Sequence, residues 1–217
     1  MKTKLNILIT AGGTREYIDP VRFIANASSG QMGYALARAA IRAGHTVTLI
    51  TAPSSLHPPK EATVVAVVTS GEMFKAVKGN FANCDCLIMA AAVSDYKPAA
   101  VSQTKIKKGS DTFNLSLQLK PTRDILKWAG RNKSNGQIVV GFALEDTDIF
   151  ANAETKLKSK KLDMIVANEP AAIGADKSTV HIKTKTTDWQ TLANQTKSAS
   201  AKKVLGVIEA YNAPKGR

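Results

Sequence analysis

Little in this 217-residue sequence can form a covalent or metal staple: it has two cysteines and three histidines. Cys84 and Cys86 lie in what reads as one extended segment, where the backbone holds them too far apart for an easy disulfide, and they are expected to be reduced packing residues. His45, His57 and His181 are scattered and form no ligand spacing with the cysteines, so neither a structural nor a catalytic zinc is expected. Aromatic residues make up only 6%, and no run interleaves them with Lys or Arg as a base-stacking platform requires. No apolar run approaches the roughly 18 residues of a membrane span. The start, Met1-Lys-Thr-Lys4, leads straight into a strand-like segment and not a signal peptide, so a cytoplasmic protein is expected. The absence of Gly-x-x-x-x-Gly-Lys-Ser/Thr argues against a standard P-loop enzyme. Acids are scarce, 17 against 30 Lys and Arg, for a net charge of +13. That charge attracts anions, whether nucleic acid, acidic membrane surface or phosphorylated small molecules, and does not choose among them. A non-catalytic nucleic-acid-binding module would rest on it alone.

What is present is alternation. Hydrophobic residues form 44% of a chain long enough for one sizeable core, and residues 1–217 are expected to form one domain with an elaboration. Leu5-Asn-Ile-Leu-Ile-Thr10 reads as a buried strand running into Ala11-Gly12-Gly13. Ser28 and Ser29 precede a helix with Met32, Leu36, Ala40 and Ala43 on one face, which Gly44 can end. Strands follow at Thr46–Thr51, Thr63–Thr69, Cys86–Ala91, Gln137–Ala143 and Met164–Ala167. Helices are expected after Ser70, after Thr122, over Phe150–Ser159, and after Ser200 with Val204, Leu205, Ile208 and Tyr211 on one side. The reading is a three-layer α/β fold with a mainly parallel, Rossmann-like (ribokinase-like) sheet. Thr104–Lys108 and Phe113–Leu119, flanking Gly109-Ser-Asp111, break the pattern as a projecting β-hairpin arm at about residues 98–120, either a dimer contact or a flap.

Ser28-Ser-Gly-Gln-Met-Gly33 lies at a helix start after a strand, where unpaired N–H groups favour anions. Gly30 and Gly33 would allow close approach of a phosphate; small residues there are equally ordinary capping and packing choices. A dinucleotide reading fits poorly, because the connection from Thr10 to Gly30 is long and the second strand ends Thr51-Ala-Pro53 without an acid for a ribose. The tyrosine-lysine spacing of Tyr211 and Lys215, which would suit a reductase, includes Pro214 and sits at the frayed end.

The long connection, Thr10-Ala-Gly-Gly-Thr-Arg-Glu-Tyr-Ile-Asp-Pro-Val-Arg22 through Asn26-Ala-Ser-Ser-Gly-Gln-Met-Gly33, closely resembles the opening motif of the phosphopantothenoylcysteine synthetase family, which many bacteria fuse behind a flavin-dependent decarboxylase. Further segments resemble the later motifs in order: Ala90-Ala-Ala-Val-Ser-Asp95-Tyr, Lys105-Ile-Lys-Lys108, Pro121-Thr-Arg-Asp-Ile-Leu126, Val140-Gly-Phe142-Ala, and Lys160-Lys-Leu-Asp-Met-Ile-Val-Ala-Asn168. Departures are Tyr17 and Arg123, where proline is frequent, and Lys161 at a usual asparagine.

The resemblance implies a phosphopantothenate–cysteine ligase of coenzyme A biosynthesis. The 4′-phosphopantothenate carboxylate attacks the α-phosphorus of CTP to form an acyl-cytidylate, and the amine of L-cysteine displaces CMP. It implies Ser28, Gly30 and Gly33 on the triphosphate and Lys105, Lys156 and Lys160 as cations of the nucleotide pocket. Phe142 and Asn168 would touch the nucleotide, and Thr122, Arg123, Asp124 and Ile125 its base. Asn26, and with it Lys105, is the catalytic expectation; Asn26 would donate to a developing oxyanion. Arg22 would hold the cysteine carboxylate, or else pair with Glu16 or Asp19. Ala91, Ala92 and Asp95 would meet substrate or nucleotide, Asp95 either within its own subunit or reaching from the neighbouring subunit of a homodimer. Lys156 and Lys160, four apart, share one helix face by spacing alone, which is also how a solvated basic face looks. Mg²⁺ would arrive with the triphosphate and not in a protein-built site. ATP in place of CTP stays open. Flavin belongs to the decarboxylase half, so no flavin is expected here, and a separate decarboxylase is a partner. Neither nucleic acid nor membrane is expected as a partner.

Overall fold

The structure, a computed structural model, describes residues 3–108 and 115–213. In chain order its elements are β1 (Asn6–Ala11), β2 (Arg15–Tyr17), β3 (Phe23–Ala25), α1 (Gln31–Arg42), β4 (Thr46–Thr51), β5 (Thr63–Ala66), α2 (Ser70–Phe81) and β6 (Cys86–Met89). There follow β7 (Tyr96–Pro98), β8 (Leu119–Pro121), α3 (Ile125–Asn132), β9 (Ile138–Leu144), α4 (Ile149–Ser159) and β10 (Met164–Asn168). A 3₁₀ turn (Pro170–Ala172), β11 (Lys177–Thr184), β12 (Gln190–Thr196) and α5 (Lys197–Asn212) complete it.

Successive strand residues face opposite sides, so β1 feeds two cores at once. Ile7 and Ile9 pack with Leu36 and Ala40 of α1 and Val204, Leu205 and Ile208 of α5. Leu8 packs on the other face with Met73 and Val77 of α2, Leu126 of α3 and Leu157 of α4. Covering both faces requires the unbroken apolar runs seen in the parallel strands. The expected three-layer, mainly parallel α/β fold is therefore present. The main sheet has eight strands in the order β12-β11-β10-β9-β6-β1-β4-β5. Pairing is parallel from β10 through β5, and β11 and β12 add antiparallel at one edge. Counted along the chain, the six parallel strands run 3-2-1-4-5-6, the doubly wound Rossmann order. Chain connections leave β1 and β6 in opposite directions, so the crevice at their carboxyl ends is the topological switch point where such sheets bind ligands.

Several boundaries differ from the sequence reading. The helix expected after Ser28 and Ser29 takes Gly30 as its N-cap, in the left-handed region at φ 82° and without a side-chain cap. The last helix starts at Lys197, capped by Thr196, whose hydroxyl accepts from the Ala199 N–H; Ser200 is buried inside the first turn with its Oγ unpartnered. Strand β5 stops at Ala66 because Val67 and Val68 turn toward α2, where Glu72 accepts from the Val68 N–H. Among the described residues the arm has strand pairing at its base, Tyr96–Pro98 against Leu119–Pro121. Thr104–Lys108 is not a strand, and residues 109–114 of the expected hairpin lie outside the described residues. Of the alternating leucines, Leu115 is 65% exposed and Leu119 46%, while Leu117 is half-buried. The β11–β12 edge hairpin and the small β2–β3 hairpin were not anticipated.

Candidate active site

At the switch point lies a cavity of about 670 Å³, within the usual range for small-molecule sites. Its walls come from both faces of the sheet: Ala25–Met32 leading into α1 on one, Thr122–Leu126, Lys156 and Lys160 on the other. The ends of β6, β9 and β10, at Met89, Phe142 and Asn168, form its floor.

The long connection after β1 is built to return to this floor. The Gly12 carbonyl accepts from Ala92 N–H, and Thr14 N–H donates back to the Ala92 carbonyl, extending the β1–β6 pairing past the strands. The buried Thr10 hydroxyl accepts from Ala91 N–H at 3.1 Å, so Ala91 and Ala92 are fixed by backbone contacts at the cavity wall. Asp19 is the other anchor. Fully buried, its carboxylate accepts from the Arg22 guanidinium and from the N–H groups of Val21, Arg22 and Ile106. The Arg22 guanidinium, with these amides, holds that carboxyl well below the usual carboxylate range. Asp19 thus ties the connection to the arm segment at Ile106.

The connection delivers Asn26 to the cavity with its amide oriented. Nδ2 donates to the Val93 carbonyl at 3.3 Å, a contact across 67 positions and not a local turn bond. One N–H of that amide remains for a ligand. A methyl group at Gly13 would stand 2.7 Å from the Asn26 carbonyl oxygen, so only glycine permits this approach. Ser28 and Ser29 place their oxygens near the N–H groups of Gly30 and Gln31, each at 3.4 Å, and their hydroxyl hydrogens stay available to an anion. The first turn of α1 carries no acid to oppose one.

Opposite these groups the two expected lysines behave differently. Lys160 forms an ion pair with Asp124 at 2.8 Å, and Asp124 also caps α3 by accepting from the Lys127 N–H. Burial, the largest single influence, raises the Asp124 carboxyl, but the Lys160 bond, the Lys127 N–H and the charges of both lysines together outweigh it and the net shift is downward. Lys156 has no hydrogen-bond or ion-pair partner among the described residues, and its pKa is lowered, first by burial and then by the Lys160 charge. Phe142 serves twice, lining the cavity while packing on the core. Arg123 lies over the Phe74 ring, 5.0 Å from its centroid, at the cavity edge.

Of the expected site residues, the cavity gathers Asn26, Ser28, Gly30, Ala91, Ala92, Asp95, Thr122 to Ile125, Phe142, Lys156, Lys160 and Asn168. Three stand elsewhere. Gly33 is a packing residue, with α1 pressed so closely on β1 that a Cβ would be 2.6 Å from Ala11 Cβ. Arg22 is engaged by Asp19 and by the Ile106 carbonyl, outside the cavity. Lys105, exposed beside Ile106, is outside it too. Sequence reasoning missed the wall from Ala172 to Gly174 and Lys197 behind it; the one signal was a lysine at the first position of a capped helix. Tyr211 is not at the cavity; it lies near Asp163, at the start of β10 and so at the opposite edge of the sheet. Lys215 lies outside the described residues.

The fold and cavity define a doubly wound α/β protein whose switch-point crevice is lined by an open helix N-terminus and several cationic side chains. Comparison with known proteins narrows this: the DNA/pantothenate metabolism flavoprotein C-terminal domain family matches residues 2–211, and the chain belongs to that family. The Coenzyme A biosynthesis bifunctional protein CoaBC of Bacillus subtilis is 47% identical over 171 residues, 78% of this chain and 41% of the relative. The chain spans about half the length of the curated relatives it matches. Among solved structures, the C-terminal domain of a CoaBC protein superposes with a TM-score of 0.83 at 38% identity, covering 97% of this chain and 96% of that one. The DNA/pantothenate metabolism flavoprotein from Streptococcus pneumoniae gives 0.81 at 27% identity, covering 95% and 99%.

Proposed function

We propose that the chain is a phosphopantothenate–cysteine ligase, joining 4′-phosphopantothenate to L-cysteine with consumption of CTP. The observation that carries this reading is a single cavity combining an open helix N-terminus, an unpaired, partly buried lysine and an oriented asparagine amide. Membership in a pantothenate-metabolism family and likeness to CoaBC proteins, named for coenzyme A biosynthesis, support it.

A carboxylate is a poor acyl donor and has to be activated. Its oxygen bonds to the α-phosphorus as the bond to the β-phosphate oxygen breaks, releasing pyrophosphate and leaving the acyl-cytidylate. The cysteine amine then attacks the acyl carbon, loses a proton and expels CMP. Negative charge is concentrated in the triphosphate and appears again on the tetrahedral oxygen, and each site needs preorganised donors. The α1 amides, the Ser28 hydroxyl and Lys156 face the first; the remaining Asn26 N–H serves the second. Lys160 joins the phosphates by exchanging its Asp124 partner. Asp95 and Asp124 are the acids of the cavity wall, and among the described residues no group of three or more His, Cys, Asp or Glu could hold a metal. This donor set suits Mg²⁺ carried by the triphosphate, where the ion would offset phosphate charge.

Lys105 and Arg22 fit this scheme in a homodimer, with the arm of one copy reaching the cavity of the other. Tyr17, Val21, Phe23, Tyr96, Val101 and Leu119 are exposed apolar residues near the arm and the β2–β3 hairpin, and a second copy would cover them. CTP is favoured over ATP by the lysine-rich motif. A separate decarboxylase would act on the product, and the purified chain is expected to be colourless, without stoichiometric FMN.

The test supplies 4′-phosphopantothenate, Mg²⁺ and L-cysteine with CTP or with ATP and follows pyrophosphate, nucleoside monophosphate and amide product. Release that requires phosphopantothenate is expected, with CTP the better substrate. Asn26→Asp should sharply reduce amide formation. No turnover with either nucleotide would refute the reading, and full activity in Asn26→Asp would remove Asn26 from the chemistry.

A further inference from the structure

Four cationic side chains line the cavity: Arg123, Lys156, Lys160 and Lys197. The family resemblance accounts for the first three and leaves Lys197 unexplained. It is the first residue of α5, the helix packed beside α1, so it enters from the opposite face of the sheet to Lys156 and Lys160. Its Nζ donates to the Ala172 carbonyl at 2.9 Å and to Ser178 Oγ at 3.1 Å. Both acceptors are neutral, and an ammonium has a third N–H to place.

The charge itself has no counterpart. Lys133, Lys158, Lys160, Lys183 and Lys185 each have a carboxylate within ion-pair distance, whereas Lys197 has none among the described residues. Partial burial lowers its pKa. The positive end of the α5 dipole, against which it sits, disfavours a cation further. A pin between two neutral acceptors does not require a full positive charge, and retaining one here costs free energy unless an anion supplies compensation.

The geometry points to Lys197 as a phosphate-binding residue of this cavity, giving its third N–H to a substrate phosphate oxygen while bracing the Ala172–Gly174 wall. This rests on the ligase reading, in which both the CTP triphosphate and the phosphate of 4′-phosphopantothenate are candidate sources of that oxygen. Lys197 complements Lys156 and Lys160 from the other side.

Titrations on the intact chain separate the sources. CTP, cytidine, 4′-phosphopantothenate and pantothenate are each titrated into wild type, Lys197→Gln, Lys197→Arg and Ser178→Ala, with a thermal melt of every variant. Lys197→Gln should weaken one phosphorylated ligand about tenfold or more, the scale of a lost charge-assisted hydrogen bond, and leave its unphosphorylated counterpart within about twofold. Lys197→Arg and Ser178→Ala, which keep the charge, should stay within about threefold. Equal weakening of phosphorylated and unphosphorylated ligands, no weakening of either phosphorylated ligand, or reproduction of the loss by Ser178→Ala would overturn the proposal. If Lys197→Gln does not fold, acetic anhydride labelling of Lys197 in wild type, read by peptide mass spectrometry, decides: protection by a phosphorylated ligand and not by its unphosphorylated counterpart is expected, and the absence of that difference overturns the proposal. Wild type that binds neither phosphorylated ligand refutes the ligase reading itself; active wild type with an unaffected Lys197→Gln refutes only the role of Lys197.

Discussion

At Gly33 helix α1 presses closely on β1, and adding one methyl group tests how much of the site depends on that contact. In Gly33→Ala the new Cβ would lie 2.6 Å from Ala11 Cβ and 3.0 Å from both Ala11 Cα and the Thr10 carbonyl oxygen. Non-bonded carbons rest about 3.5–4.0 Å apart, so α1 must retreat by roughly 1 Å, since β1 is held on both sides by β4 and β6. Overpacking of this kind costs about 1–3 kcal/mol, offset by at most about 1 kcal/mol of better helix propensity. A net loss of about 1–2 kcal/mol lowers Tm by roughly 2–8 °C in a chain of this size. The retreat also moves Gly30 and the first α1 amides, where the proposed function seats the triphosphate, so nucleotide affinity should fall with stability. Gly79, exposed within α2 with nothing within 4 Å of its added Cβ, is the control. Gly79→Ala should gain about 0.5–1 kcal/mol and leave nucleotide binding unchanged. Thermal melts with a CTP titration measure both. A Gly33→Ala variant as stable as wild type, with unchanged CTP affinity, would refute the packing argument and the dependence of the site on it.

Two further outcomes are expected. Lys156→Met should weaken nucleotide binding by about 1.5–3 kcal/mol, the range for a hydrogen bond to a charged group. Because burial lowers the pKa of Lys156, its ammonium is lost on raising the pH before an ordinary lysine's would be, at about 10.4. Affinity in the wild type should therefore decline toward alkaline pH earlier than an exposed lysine would make it, and titrations across pH should show that component vanish in Lys156→Met. Lys161, at φ 55°, adopts the left-handed conformation that asparagine tolerates better. Lys161→Asn should raise Tm by a few degrees at unchanged activity.

Much of the fold was legible because buried parallel strands must be apolar on both faces and amphipathic helices must recur at their own period. β1, β4, β6, β9 and β10, with α1 and α4, stand close to where that pattern puts them. The candidate site was legible for a different reason: Gly30, Asn26, Phe142, Lys160 and Asn168 lie in ordered motifs, at the ends of elements whose order along the chain brings them to one sheet edge. The sequence could not show that Gly33 serves packing and not phosphate contact, because that depends on the distance between α1 and β1. Nor could it separate Lys156 from Lys160, which share a helix face; the Asp124 partner that distinguishes them comes from a different helix. Whether Arg22 meets a ligand or pairs with Glu16 or Asp19 was open in the sequence, and it is the return of the arm at Ile106 that buries Asp19 beside it. Lys197 stayed invisible since its neighbours, Ala172 and Ser178, are distant along the chain. Periodicity and motif are local properties of a chain, whereas burial, pairing and uncompensated charge belong to the space between elements, which only the folded molecule defines.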